Sequence, residues 1–224
     1  AVPHPTFLQI DASEAAGDRW GDGLEACVFV CLGAPIAVPH RRAPATMSHT
    51  VPPTPTGSKG WINYRPDLRV LDCTVRDGGL MNDHNFTLDF VRAIYAAASA
   101  AGIDYMEIGY KAAARLYSRD QFGTWKFCTE EDIRRAIDDH KTGTMISVMA
   151  DAERTDFRTD ILPRERSVVD MVRVATYIHQ IPAALEIVQD AAAKGYDTSL
   201  NIMAVSTVPE SELDKTILNS AILN

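Results

Sequence analysis

The pattern of apolar and polar positions divides the chain near residue 60. Beyond it, short β-type runs alternate with longer segments of helical period. Residues 68–74, 105–109, 144–150, 170–175 and 198–205 read as strands. Residues 88–101, 130–138 and 182–194 read as helices, and 210–218 begins another. Phe90, Val91, Ile94, Ala98 and Ala101 share one face at helical spacing. Thr87 is placed to cap that helix and Gly102 to end it. Thr129 precedes Glu130, Glu131 and Asp132, where a helix dipole favours acidic groups. Pro182 suits a first turn, and Gly195 a helix stop.

Strands separated by helices predict βα units in a parallel sheet, either doubly wound or closed into a barrel. Alternation along each strand helps choose. One face carries Asp72, Thr74 and Arg76, then Glu107, Gly109 and Lys111, then Ser147, Met149 and Asp151. It continues through Met171, Arg173 and Ala175 to Ser199, Asn201 and Met203, while the other face is mainly aliphatic. A polar face on every strand is costly unless its groups meet each other or a ligand. A barrel lumen supplies that setting, whereas helices over both faces would leave Asp72, Glu107 and Arg173 hard to pair. The expected fold is therefore α/β, a partial TIM (β/α)8 barrel of about five βα units.

Residues 1–60 hold 8 of the 12 prolines and show no persistent helical or strand period. They predict an irregular or disordered extension and linker ahead of a domain at 61–224. Met47, just before the Thr/Pro-rich stretch 50–60, is a candidate natural initiator. The net charge of -8 argues against nucleic-acid and anionic-lipid partners. No apolar run reaches the roughly 20 residues of a membrane helix, and the nearest, 26–38, follows Asp18, Asp22 and Glu25 rather than basic residues. Cys27, Cys31, Cys73 and Cys128 form no CxxC pair and read as reduced thiols, which suits the cytoplasm.

The segment Leu71-Asp72-Cys73-Thr74-Val75-Arg76-Asp77-Gly78-Gly79 is the richest in chemistry. At a strand end, Arg-Asp-Gly-Gly puts a cation and a carboxylate in a tight turn that glycines leave open to a ligand. A carboxylate there can take a hard divalent cation, and an arginine can hold the oxygens of a keto acid or enolate. Taken alone, the motif reads first as an ion pair closing a turn. Thr74 stands where a phosphatase of the haloacid dehalogenase type needs a second aspartate, and no GxGxxG follows the first strand.

Together with Asn82-Asp83-His84-Asn85-Phe86, Gly102–Lys111, Asp170–Thr176 and Gly195–Ser206, this segment resembles the HMG-CoA lyase-like, or pyruvate carboxyltransferase (DRE-TIM metallolyase), superfamily over roughly 66–215. The branch it looks most like is that of the 4-hydroxy-2-oxovalerate aldolases. The resemblance implies Asp77 as ligand of a divalent metal, Mg²⁺ or Mn²⁺, and Arg76 as the group polarising a keto or enolate oxygen. It implies Glu107 and Arg173 as lumen groups of the site, with Asp72 orienting Arg76. Asn201 faces inward, as a site group or a hydrogen-bonded core group, and Lys111 reads first as a solvated strand-end lysine and second as a candidate for a substrate carboxylate. Relatives that cleave 4-hydroxy-2-oxovalerate carry a histidine three residues after the aspartate, where Leu80 stands here. His84 is the nearby candidate, as a displaced base or as a surface-loop residue.

The family also completes its metal site with a His-x-His pair on a later strand, and nothing of that spacing follows Asn201. The expectation is an N-terminal part of the barrel without strands six to eight. The resemblance implies a metal-dependent aldolase-like lyase acting on a small 2-keto acid or acyl substrate through an enolate, impaired in this form. The alternatives are a non-catalytic half-barrel interaction module and a Claisen-type acyltransferase similar to isopropylmalate synthases. A homodimer or pairing with a full-length relative would cover the open barrel edges.

Overall fold

A computed structural model describes residues 6–11, 27–31, 68–138 and 142–215. Its sheet contains β1 (Thr6–Asp11), β2 (Cys27–Cys31), β3 (Leu71–Asp72), β4 (Tyr105–Tyr110), β5 (Met145–Asp151), β6 (Met171–Thr176) and β7 (Asp197–Ile202). The helices are α1 (Thr74–Gly78), α2 (Leu88–Ala100), α3 (Glu130–Ile137), α4 (Phe157–Asp160) and α5 (Ile181–Ala193). Residues 210–215 are helical as well.

From β3 to β7, each strand pairs in parallel with the next in sequence. This order has no reversal. A doubly wound sheet reverses its strand order at a switch point, whereas a singly wound sheet carries its crossover helices on one side and curls toward a barrel. The apolar positions agree. Ile108, Ile146, Val148, Val174 and Leu200 pack with Val91 and Tyr95 of α2, Ile133 of α3 and Ile187 of α5 in one core. Thr87 and Thr129 accept the backbone N–H groups of Phe90 and Asp132, each at 3.2 Å, and so start α2 and α3. The architecture is an α/β half-barrel of five consecutive parallel strands.

Three local readings are corrected. The first strand is shorter than expected, only Leu71–Asp72, because the chain then winds into α1 and a 3-10 turn at Gly79–Met81. The Asp72 carboxylate accepts from the Thr74 backbone N–H at 3.2 Å and its hydroxyl at 2.8 Å, which favours the turn over continued extension. Arg76 thus enters the lumen from a helical turn, not from a strand face.

Second, β4 shifts register between Glu107 and Tyr110. Gly109 there has φ +155°, and a Cβ on it would lie 2.2 Å from the Trp125 carbonyl oxygen. This bulge moves the alternation by one residue. Tyr110 takes the inward place expected for Lys111 and joins Met149 and Ala175 in a second cluster on the lumen side. Third, the buried face of α2 is Val91, Tyr95 and Ala98, whereas Phe90 stays 41% exposed and stacks on Phe86.

The proline-rich region holds two strands where no persistent period was found. β1 pairs in parallel with β7, and β2 antiparallel with β1. Runs of six and five residues are too short to establish a period. Met47, the stretch 50–60 and residues 216–224 lie outside the described residues.

Candidate active site

Glu107 is the centre of the lumen site. It is fully buried on β4. Its Oε2 accepts from Arg76 Nε at 2.7 Å and from Arg173 Nη1 at 2.6 Å. The Cys73 thiol approaches the same oxygen at 3.5 Å. Burial alone would raise the pKa of this carboxyl, but Arg173 and then Arg76 outweigh it and hold the group below the usual carboxylate range. The same burial, with the Glu107 charge beside it, pushes the Cys73 thiol far up, so it stays protonated.

Arg76 is nearly as buried as Glu107. Its Nη1 pairs with Asp77 and lies 3.5 Å from the Tyr110 hydroxyl. Asp77 keeps 32% of its side chain exposed and so forms the open edge of the cluster. Arg76, Asp77, Glu107 and Arg173, chosen from sequence, therefore meet in one network. Glu107 Oε1 and Ser147 Oγ, on residues in register across β4 and β5, are buried and make no hydrogen bond among the described residues. Buried polar atoms seldom remain unpaired, so the two mark the lumen as a place for a polar ligand.

The remaining selected residues divide. His84 is buried, not a surface-loop histidine. Its ring meets Tyr110 edge-on at 5.3 Å, and its Nδ1 is buried without a hydrogen bond among the described residues. A Cβ on Gly79 would lie 2.2 Å from that Nδ1, so glycine is what lets the imidazole approach the chain. Burial, then Lys126, then Arg76 lower its pKa to about 4, which leaves it neutral at pH 7. Asp72 bonds Thr74, and the orienting of Arg76 falls to Glu107. Lys111 is turned away from the lumen. It donates to the Cys128 carbonyl at 2.6 Å and lies 3.8 Å from Glu130. Asn201 accepts from Ser199 at 3.4 Å.

Sequence reasoning missed Cys73, Tyr110 and Lys126 and gave Asp151 no role. Tyr110 was hidden by the bulge. Lys126 sits on the 3-10 turn Thr124–Lys126, where no period betrays orientation. Asp151 ends β5, and burial raises its pKa against the pull of Lys126. Near the lysine opens a cleft of about 420 Å³, lined by residues 85–87 of the loop before α2 and by Arg119, Phe122, Gly123, Thr124 and Phe127 of the loop after β4. Loops that follow parallel strands build the working face of such folds.

A divalent ion needs about six ligands. Asp77 offers one oxygen donor, and no group of three His, Cys, Asp or Glu residues gathers among the described residues. The residues present do not by themselves make a metal centre.

The chain is related in sequence to known aldolases. It is 26% identical to the 4-hydroxy-2-oxovalerate aldolase 3 of Rhodococcus opacus over 147 residues, 66% of this chain and 42% of that one. It is 29% identical to the oxaloacetate decarboxylase of Mycobacterium tuberculosis over 138 residues, 60% of this chain and 38% of that one. No family model matches. A solved N-terminal domain from Bacteroides vulgatus, described as a candidate aldolase, superposes with a TM-score of 0.51 at 22% identity, covering 66% of this chain and 49% of that one. That last likeness concerns the fold. The chain spans about two fifths of the length of the curated relatives it matches. These are the relatives to which the motifs around Arg76 and Glu107 pointed.

Proposed function

Starting from this kinship with aldolases, we propose that the chain carries the enolate-stabilising part of a carbon–carbon lyase that acts on a small 2-keto acid. The observation that supports the reading best is Arg76, a buried guanidinium oriented by Glu107 and Asp77 at the open edge of the lumen. Cleavage next to a ketone leaves negative charge on the keto oxygen. A fixed donor aimed at that oxygen lowers the barrier because it needs no rearrangement as the charge develops. Arg173 shares the Glu107 carboxylate from the other side, so that carboxylate holds Arg76 while its charge is divided between two guanidinium groups.

His84 is the proton acceptor of this reading. It is neutral, buried and placed on the loop that follows Arg76 and Asp77, in contact with Tyr110. A neutral imidazole can accept the hydroxyl proton that a retro-aldol step releases. Asp77 is the ligand the chain would contribute to a Mg²⁺ or Mn²⁺ ion, whose chemistry is to polarise the keto oxygen. The steps assigned to Arg76 and His84 need no geometry from that ion. A cytoplasmic setting belongs to the proposal, supported by the free thiols of Cys73 and Cys128. No helix among the described residues is long and apolar enough to cross a membrane.

The test is release of pyruvate from 4-hydroxy-2-oxovalerate and from oxaloacetate, coupled to lactate dehydrogenase, with Mg²⁺ or Mn²⁺ supplied. Activity that falls at least about a hundredfold in Arg76→Lys, whose ammonium cannot keep the planar contacts of a guanidinium, supports the proposal. His84→Gln should lose on the order of 100-fold in kcat or more. A folded chain that releases no pyruvate from either substrate rejects this reading and favours the non-catalytic half-barrel. That alternative draws on the chain's coverage of about two fifths of its relatives.

A further inference from the structure

Two lysines of the loop region after the β4 bulge are buried, and only one of them is engaged. Lys111 spends its ammonium on Cys128 and Glu130. Lys126 is 8% exposed, yet among the described residues its ammonium makes no hydrogen bond and no ion pair. Its Nζ lies 4.3 Å from the centroid of the Tyr110 ring, 4.7 Å from that of Tyr117 and 5.9 Å from that of Phe122. Aromatic faces attract a cation without using its N–H donors, so three donors are held in place and left for an acceptor.

Two further observations say where that acceptor comes from. Phe122 belongs both to this aromatic cage and to the wall of the open cleft, so the cage adjoins a space that solvent reaches. Tyr110, whose face carries Lys126, also has its hydroxyl 3.5 Å from Arg76 Nη1. The cation assigned to the keto oxygen and the unengaged ammonium therefore sit against one ring. Burial lowers the pKa of Lys126 and the charge of Asp151 raises it, but that carboxylate stays beyond ion-pair distance of the ammonium.

We propose that Lys126, held in the cage of Tyr110, Tyr117 and Phe122, anchors the carboxylate of the 2-keto acid while Arg76 takes its keto oxygen. Lys126 is then a binding residue that fixes substrate class: it selects anionic 2-keto compounds over neutral ketones. The inference rests on the 2-keto acid reading above and deepens it.

The experiment is a titration of the full chain, methyl-labelled at methionine, followed by NMR at Met149 and Met203, which belong to or pack against the same lumen cluster. The probes are pyruvate, its neutral analogue butane-2,3-dione, and acetate. Pyruvate should bind about tenfold or more tightly than the diketone, as expected for one hydrogen bond to a charged group. Lys126→Met should erase that preference, and Lys126→Arg should keep part of it. If the methionine variant loses the native methyl spectrum, Lys126→Gln takes its place with the same expected loss. Pyruvate affinity unchanged in the neutral variant overturns the role of Lys126 and leaves the keto-acid reading standing. Acetate that binds as tightly as pyruvate, and does so only with Lys126 present, keeps the carboxylate anchor and removes the keto-acid reading. A folded chain whose methyl groups respond to none of the three overturns both.

Discussion

The two faces of the parallel sheet solve opposite problems with the same strands. On the outer face, Ile108, Ile146, Val148 and Val174 meet helices in a mainly aliphatic core. On the inner face, Glu107 and Arg173 are fully buried and Arg76 nearly so. The outer face is held by many interchangeable contacts, each small. The inner face is held by a few interactions that depend on each other. The lesson is that burial alone says little about tolerance: what matters is whether the buried group can lose a partner without stranding a charge.

Glu107→Gln should therefore produce the largest change. It leaves two guanidinium groups facing a neutral amide in a buried site. Breaking a buried ion pair on one side costs about 3–5 kcal/mol, and urea unfolding measures it. A loss below about 1 kcal/mol would erase the distinction between the faces, because that is what a conservative change in the outer core costs.

Next comes Gly109→Ala. Its backbone at φ +155° is strained for any other residue, and the added methyl would meet the Trp125 carbonyl. Strain of about 1–3 kcal/mol combines with a similar overpacking penalty. The variant should also shift Tyr110, so the inner face suffers beyond the loss of stability. Tyrosine ring shifts in NMR would show whether the bulge, rather than general loosening, is what moves.

How much of this could be read from the chain is itself divided by face. The outer face was legible because its residues keep period two, and the five parallel strands follow from it. On the inner face, Glu107 and Arg173 were legible for the same reason, in mid-strand positions before any irregularity. Arg76 stands out by its motif and lies in the lumen network, but on a helical turn, set by Asp72 and Thr74, that was not visible to alternation. Lys111 and Tyr110 exchanged places because one glycine admits an extra residue into β4. Lys126 was unreadable because a 3-10 turn after a loop has no face to count. Patterns report regular backbone, and the site sits largely where regular backbone stops.

A pH titration sharpens the comparison on the inner face. His84 has its pKa lowered to about 4 in the folded chain by burial, Lys126 and Arg76. The unfolded chain binds a proton near pH 6.5, so between that pH and about 4 it holds more protons than the folded one. Stability from His84 is thus complete above pH 6.5 and is lost as pH falls toward 4, on the order of 2–3 kcal/mol. Asp151, raised by burial, works in the opposite direction, and Glu107, lowered by its arginines, adds to the loss at the acid end. The difference between the parent chain and His84→Gln isolates the histidine. Parallel stability curves for the two across pH 4–6.5 would show that the imidazole titrates freely and does not share the inner environment.

The smallest expected effect belongs to the outer face and is the control for the rest. Ile146 and Glu107 are both fully buried on neighbouring strands, facing opposite sides of the sheet. Ile146→Val removes one methyl group from a core whose neighbours can partly close the gap, for about 1 kcal/mol. It should leave the pyruvate response of Met149 unchanged, since the truncated side chain points toward the helices. A stability loss as large as that of Glu107→Gln would mean that the outer core is as brittle as the ionic cluster. A changed ligand response with little loss of stability would mean that the faces are coupled through the strand backbone. Only a small loss with an unaltered ligand response keeps the two faces as separate devices, one for folding and one for chemistry.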